Sequence, residues 1–190
     1  MKRTVSLFLT AVMLFTLTSC GGKNSAADLA ENVRERYENA ESITTTADLR
    51  ADYGENIYDF TVTYTGGSEN GTLSILAPDT IAGSSVKIEN GDVSAQLDSA
   101  SVYMGDLDSI GKSPACAIAA IIRAWREGYM EDMCFENGSG GKVLAVTYET
   151  SNDTKVISYF DADSLVPLNA EILYDGAAVI FCTFNEFKIN

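Results

Sequence analysis

The apolar positions of this chain follow two different periods, and the change from one to the other sets its organisation. From Ala26 to about Asn39 they recur every three or four residues. Leu29, Val33 and Tyr37 lie on one stripe with Ala26 and Ala30 beside it, in an otherwise charged segment. That spacing predicts a helix that packs by a single face. Ser25 stands where a capping side chain belongs, and Asp28 suits the positive end of the helix dipole.

From Ile43 the period drops to two. Ile43, Thr45, Ala47, Leu49 and Ala51 alternate with Thr44, Thr46, Asp48, Arg50 and Asp52. Tyr58, Phe60, Val62 and Tyr64 then alternate with Asp59, Thr61 and Thr63 until Gly66-Gly67 ends the run. Shorter runs follow at 73–77, 81–88, 93–97 and 102–104, and Asn90-Gly91 reads as a tight hairpin turn between two of them. Alternating runs joined by short turns predict an antiparallel meander.

The alternation stops for one helix. Ser113 is placed to cap it, Pro114 to occupy its first position and Gly128 to end it. Ile118, Ile121, Ile122 and Trp125 fall at i, i+3, i+4 and i+7, and residues 115–120 carry no charge, so this helix must be largely buried. Arg123, Arg126 and Glu127 mark its wet end. Strand-like runs resume at 129–135, 143–148, 155–160, 169–174 and 177–184, with turns at 137–141, at 151–153 and at Asp175-Gly176. The expected architecture is α+β, a curved antiparallel half-barrel sheet of about eleven strands with two helices on its concave face. A closed lipocalin-type barrel is the alternative, but an uncharged mid-chain helix needs something to bury it, and an incompletely closed sheet offers the place.

Charge and composition then narrow the function. The 190 residues hold 13 Lys and Arg against 27 Asp and Glu and no His, for a formal net charge of −14. Such a field repels phosphate backbones, so nucleic acid is not an expected partner. Without histidine, Ser-His-Asp and Cys-His hydrolases and most zinc enzymes are closed off. Asp106/Asp108 and Glu131/Asp132 are acidic pairs, but nothing in their spacing sets them across a cleft as an acid and a base. The stretch from Gly138 to Lys142 lacks the Gly at 136 and the Ser or Thr at 143 of a phosphate loop, and Asp161/Asp163 lacks the third ligand and the glycine of a calcium loop. Both read as turns. The expectation is a non-catalytic protein with no metal and no cofactor.

The N-terminus predicts a location. Lys2 and Arg3 precede an apolar run at 5–17, shorter than the roughly 20 residues that span a bilayer. The run ends in Leu17-Thr18-Ser19-Cys20-Gly21, which resembles the bacterial lipobox. That resemblance implies a signal peptide over 1–19, lipidation of Cys20 and a short tether to residue 25, leaving the domain over 26–190 outside the cytoplasm on the membrane. Acyl chains at about 0.8 kcal/mol per buried CH₂ would hold it there. Cys116, Cys134 and Cys182 remain, an odd number for an exported chain. They read either as small buried hydrophobes or as including one free thiol that links a dimer, and Cys116, in a first helical turn, is placed where a thiolate is favoured.

The closing stretch adds a resemblance. Tyr159-Phe160-Asp161 ends a strand, Leu165-Val166-Pro167 follows a turn, and the Tyr174-Asp175-Gly176 hairpin returns to a last strand with Phe184 and Phe187. With the order helix, meander, buried helix, meander, this is similar to the LolA/LolB lipoprotein-carrier superfamily, including its LppX/LprG-like and GerS-like lipoproteins. The resemblance implies a concave apolar cavity that binds a lipid or an acylated partner. The candidate lining is Tyr58, Phe60, Val62, Tyr64, Leu73, Ile75, Ile172 and Phe181 from the sheet, with Ile118, Ile122 and Trp125 from the helix as lid. Two alternatives stay open. In one the helix fills the sheet as an ordinary core; in the other, which follows from it, the protein is an envelope or spore-related interaction lipoprotein that meets a protein partner or a second copy of itself.

Overall fold

A computed structural model describes residues 25–97, 100–107, 113–138, 140–151 and 153–190. The signal segment and Cys20 lie outside the described residues. Helix α1, Ala26–Glu38, opens on a capping box: Ser25 Oγ accepts from the Asp28 N–H at 3.2 Å, and the Asp28 carboxylate accepts from the Ser25 N–H at 3.3 Å. Its buried stripe is Ala30, Val33 and Tyr37.

Six strands follow: β1 Ile43–Asp52, β2 Ile57–Gly66, β3 Gly71–Ala77, β4 Ser85–Glu89, β5 Asp92–Leu97 and β6 Ala100–Asp106. A short 3₁₀ turn, Pro114–Cys116, leads into α2, Ala117–Glu127. Five strands complete the chain: β7 Tyr129–Gly138, β8 Gly141–Ser151, β9 Thr154–Asp161, β10 Pro167–Tyr174 and β11 Ala177–Ile189. The eleven strands form one antiparallel sheet in the order β6-β5-β4-β3-β2-β1-β11-β10-β9-β8-β7. Two meanders are therefore joined where β1 pairs with β11, from Ile43 opposite Ile189 to Ala51 opposite Ile180. β6 and β7 sit at opposite ends of this order, so the sheet stays open and the closed barrel is excluded. The chain passes from one edge to the other through α2.

Turn chemistry follows the sequence. Asn90 and Gly91 have φ of 53° and 83°, and Asp175 and Gly176 have φ of 51° and 78°, the left-handed pair that a two-residue hairpin requires. Two boundaries differ most from expectation. The run at 81–88 becomes a strand only at Ser85, because residues 78–83 form a turn in which the Ile81 N–H donates to Pro78 O and Gly83 takes φ 88°. β11 continues past Phe184 to Ile189, carried through a register shift opposite Thr46/Ala47.

α2 ends as its glycine dictates. The Gly128 N–H donates to Ala124 O at 2.9 Å, and a Cβ on Gly128 would stand 2.6 Å from that oxygen and 3.1 Å from Tyr148 Cβ. Only glycine lets the chain turn into β7 against β8 at this spacing.

Candidate functional site

Seven of the eleven residues of α2 are buried, and Ile118, Ile121, Ile122 and Trp125 have no exposed surface. Trp125 lies at the centre of an aromatic cluster, with ring centroids 4.8 Å from Tyr37, 5.4 Å from Phe160, 5.7 Å from Phe184 and 6.0 Å from Phe187. Its indole N–H donates to Ser158 Oγ at 2.7 Å, which satisfies the one polar atom it buries. Ile118, Ile122 and Trp125, the expected lid, are thus buried members of the core.

The helices are also tied to each other by cations. Arg34 of α1 donates to the carbonyls of Arg126 and Gly128, two of the groups that a helix C-terminus leaves unpaired. Arg126 returns a bond to Ala40 O at 2.8 Å, and the Tyr37 hydroxyl donates to Leu165 O at 3.1 Å. Burial pushes the Tyr37, Tyr64 and Tyr148 hydroxyls well above the ordinary phenol range.

The remaining candidates spread along the sheet. Val62, Tyr64, Leu73 and Ile172 are buried, Phe60 and Ile75 are partly buried against the core, and Tyr58 is 49% exposed near the far end of β2. Phe181 corrects the expectation. It alternates with buried Ile180 and Cys182, so its side chain lies on the convex face, 36% exposed. Its apolar neighbours in sequence hid that parity, and the pairing of β11 with β10 shifts register opposite Ile172/Leu173.

One open cleft of about 490 Å³ remains on the concave side. Ala120, Arg123, Ala124 and Glu127, a stripe at i, i+3, i+4 and i+7 of α2, form one wall; Val156 and Ile172 form the floor. Leu107, Glu149 and residues 150–151 and 154 complete it, and Arg123 Nε lies 3.6 Å from Glu127 on the rim. Apolar floor and charged rim fit an amphiphile, in the range of about 300–1,000 Å³ typical of small-molecule sites. Of the candidate lining residues named from the sequence, Ile172 alone lines this cleft. The stripe of small and charged residues stands at helical spacing in the sequence, beside the large apolar residues that fill the other faces of α2.

The cysteines separate. Cys116 and Cys182 are buried, and burial pushes the Cys116 thiol up to about 12. Burial, with Asp48 nearby, raises Cys182 as well. Of the two readings of Cys116, the small buried hydrophobe fits, because desolvation outweighs the partial charge of a single helical turn. Cys134, on the edge strand β7, is the exposed thiol. Asp161 is occupied as a turn residue, accepting from the N–H and hydroxyl of Ser164, both at 2.7 Å. Among the described residues no group of three or more Cys, Asp or Glu is placed to hold a metal ion.

At the level of sequence, no family model and no curated protein matches the chain. Solved structures do. A proposed outer membrane lipoprotein-sorting protein domain from Vibrio parahaemolyticus aligns over 87% of this chain and 94% of its own, at 11% identity and a TM-score of 0.52. The chain shares the fold of that domain, an open antiparallel half-barrel with two helices. An uncharacterized conserved protein from Thermus thermophilus gives 0.51 at 11% identity, over 87% and 88% of the two chains. A LolA superfamily protein from Nitrosomonas europaea aligns over 85% and 93% at 14% identity, with a TM-score of 0.45 that adds no weight of its own. At these identities the LolA-like likeness concerns the fold. The contents of the half-barrel must be read from this chain.

Proposed function

We propose that this protein is an extracytoplasmic lipoprotein, held on the bacterial membrane through Cys20, whose LolA-like domain binds the apolar part of an amphiphilic ligand without catalysing a reaction. The observation that carries the reading is the cleft between the Ala120/Ala124 stripe and Val156/Ile172, open to solvent and rimmed by Arg123, Glu127 and Glu149. That rim has one positive charge against two negative ones, so a zwitterionic or cationic head suits it better than an anionic one. The cleft replaces the space under Ile118, Ile122 and Trp125 as the binding place, while Tyr58, Phe60 and Ile75 extend the concave apolar surface beyond it.

Native mass spectrometry of the protein extracted from membranes tests both parts. A co-purifying lipid that is lost on Ala120→Trp, which fills the cleft, supports the reading; an empty protein that takes up no membrane lipid contradicts it. Cys20→Ser should release the protein from the membrane fraction, and continued membrane retention would refute the anchor. A second reading, an interaction lipoprotein that meets a protein, is favoured by the filled centre under α2 and by the exposed apolar residues of β6.

A further inference from the structure

The apolar part of the cleft is narrow on both sides. Side chains at i and i+4 of a helix stand one above the other, so the α2 wall resolves into two rows. Ala120 and Ala124 form the deeper row; Arg123 and Glu127, joined at 3.6 Å, form the outer one. Facing the alanines, Val156 of β9 stands directly opposite Ile172 of β10, and both are buried. One row of alanines against one cross-strand pair has the width of a single hydrocarbon chain. Ile118, Ile121 and Ile122 close the space beneath α2, so the cleft does not widen there. Volume agrees with width. At about 30 Å³ for a water-sized group, 490 Å³ takes roughly sixteen groups, one chain of about twelve carbons with a small head. A second chain would lie against the Arg123 and Glu127 pair or the hydroxyls of Thr150 and Thr154, desolvating polar groups without pairing them.

Register gives the cleft a direction. Buried Leu107 lines it, and the Leu107 N–H donates to Gly91 O in the turn between β4 and β5. That turn lies where β11 ends, because Ile88, Gly71, Gly66, Ile43 and Ile189 share one row across the sheet. Thr150, Ser151 and Thr154 belong to the turn between β8 and β9, where β11 begins, since Thr154 stands opposite Tyr174 and Tyr174 opposite Ala177. An apolar side chain therefore stands toward one end and hydroxyls toward the other, with Thr150 and Ser151 exposed.

We propose that the cleft selects an amphiphile with a single hydrocarbon chain, its tail toward Leu107 and its head at the turn between β8 and β9, and excludes lipids with two chains. The inference rests on the cleft being the binding place and goes beyond it in fixing the number of chains and their direction. Ala120 and Ala124 set the width, because a larger side chain at either position would meet Val156 or Ile172 across the cleft. The hydroxyls take the head, which keeps its water at the open end.

The test uses the protein purified from membranes in phosphatidylcholine nanodiscs, with empty nanodiscs as control. The probes are a twelve-carbon lysophosphatidylcholine and the phosphatidylcholine with two twelve-carbon chains, each carrying a photoreactive diazirine at a chain end. Labelled residues are mapped by peptide mass spectrometry. The single-chain probe should label Leu107 and Ala120, once per protein, and the two-chain probe should label them roughly tenfold less. A single-chain probe with the diazirine in its head should label residues 150–154 instead. Ala120→Trp should abolish the labelling, and on the wild type an excess of unlabelled dodecylphosphocholine should do the same without any change to the fold. Equal labelling of Leu107 and Ala120 by both probes would overturn the single-chain selection while leaving the cleft as the binding place. Tail labelling at 150–154 would overturn the direction. Labelling that dodecylphosphocholine does not displace, or no label in the cleft from either probe, would overturn the inference together with the cleft.

Discussion

Strands β7–β11 and strands β2–β6 carry similar alternating apolar faces, yet their fates differ. On the first set, α1 lies across β7 and β8, α2 packs on β8 to β11, and Tyr37, Trp125, Phe160, Phe184 and Phe187 close into one cluster. On the second set, burial fades toward the edge: Tyr64, Leu73 and Val86 are buried, while Leu97 and Val102 are about half exposed. The alternation decides which face of a strand is apolar, and the helices decide which part of that face is covered. A LolA-like sheet can thus be core on one side and open surface on the other.

The sharpest way to break this contrast is Trp125→Ala. Removing a fully buried indole and its hydrogen bond to Ser158 should cost about 3–5 kcal/mol, read from urea unfolding followed by circular dichroism. A cost under about 1 kcal/mol would mean that the aromatic cluster is not the centre of the core. Alkaline pH should give an intermediate effect. Because burial raises the Cys116 thiol from its ordinary 9.0 to about 12, the folded state holds that proton where the unfolded chain has released it. Stability is therefore unaffected by this group below pH 9 and falls between pH 9 and about 12. Cys116→Ala should flatten the fall, and an unchanged slope of urea midpoint against pH would contradict the burial. The smallest effect belongs to the open half. Val102→Thr should leave stability within about 0.5 kcal/mol, and a larger loss would show that the β6 edge is packed after all.

Much of this was legible in the chain. The periods placed both helices and all eleven strands, and Ser25, Asn90-Gly91, Gly128 and Asp175-Gly176 marked ends and turns for stated conformational reasons. The site was less legible. Large apolar residues on α2 read equally as a lid over a cavity or as an ordinary core, and Ile118, Ile122 and Trp125 are core; residue type fixes the apolarity of a face and leaves its distance from the opposite wall open. The cleft is made of alanines and rim charges whose significance lies in their pairing with Val156 and Ile172 on two other elements, which only the fold brings to them. Parity was the other loss. Phe181 was assigned inward because it is aromatic, and the buried Ile180 and Cys182 on either side of it set the opposite phase.

The most direct test of the account is methyl nuclear magnetic resonance of the Ile- and Val-labelled protein, titrated with dodecylphosphocholine below its micelle concentration. The methyls of Val156 and Ile172 should shift saturably, Ile118 and Ile122 should stay fixed, and Ala120→Trp should abolish the response. Shifts centred on Ile118 and Ile122 would mean that α2 lifts to admit the chain beneath it, and an absence of saturable shifts at Val156 and Ile172 would contradict the cleft as a binding site.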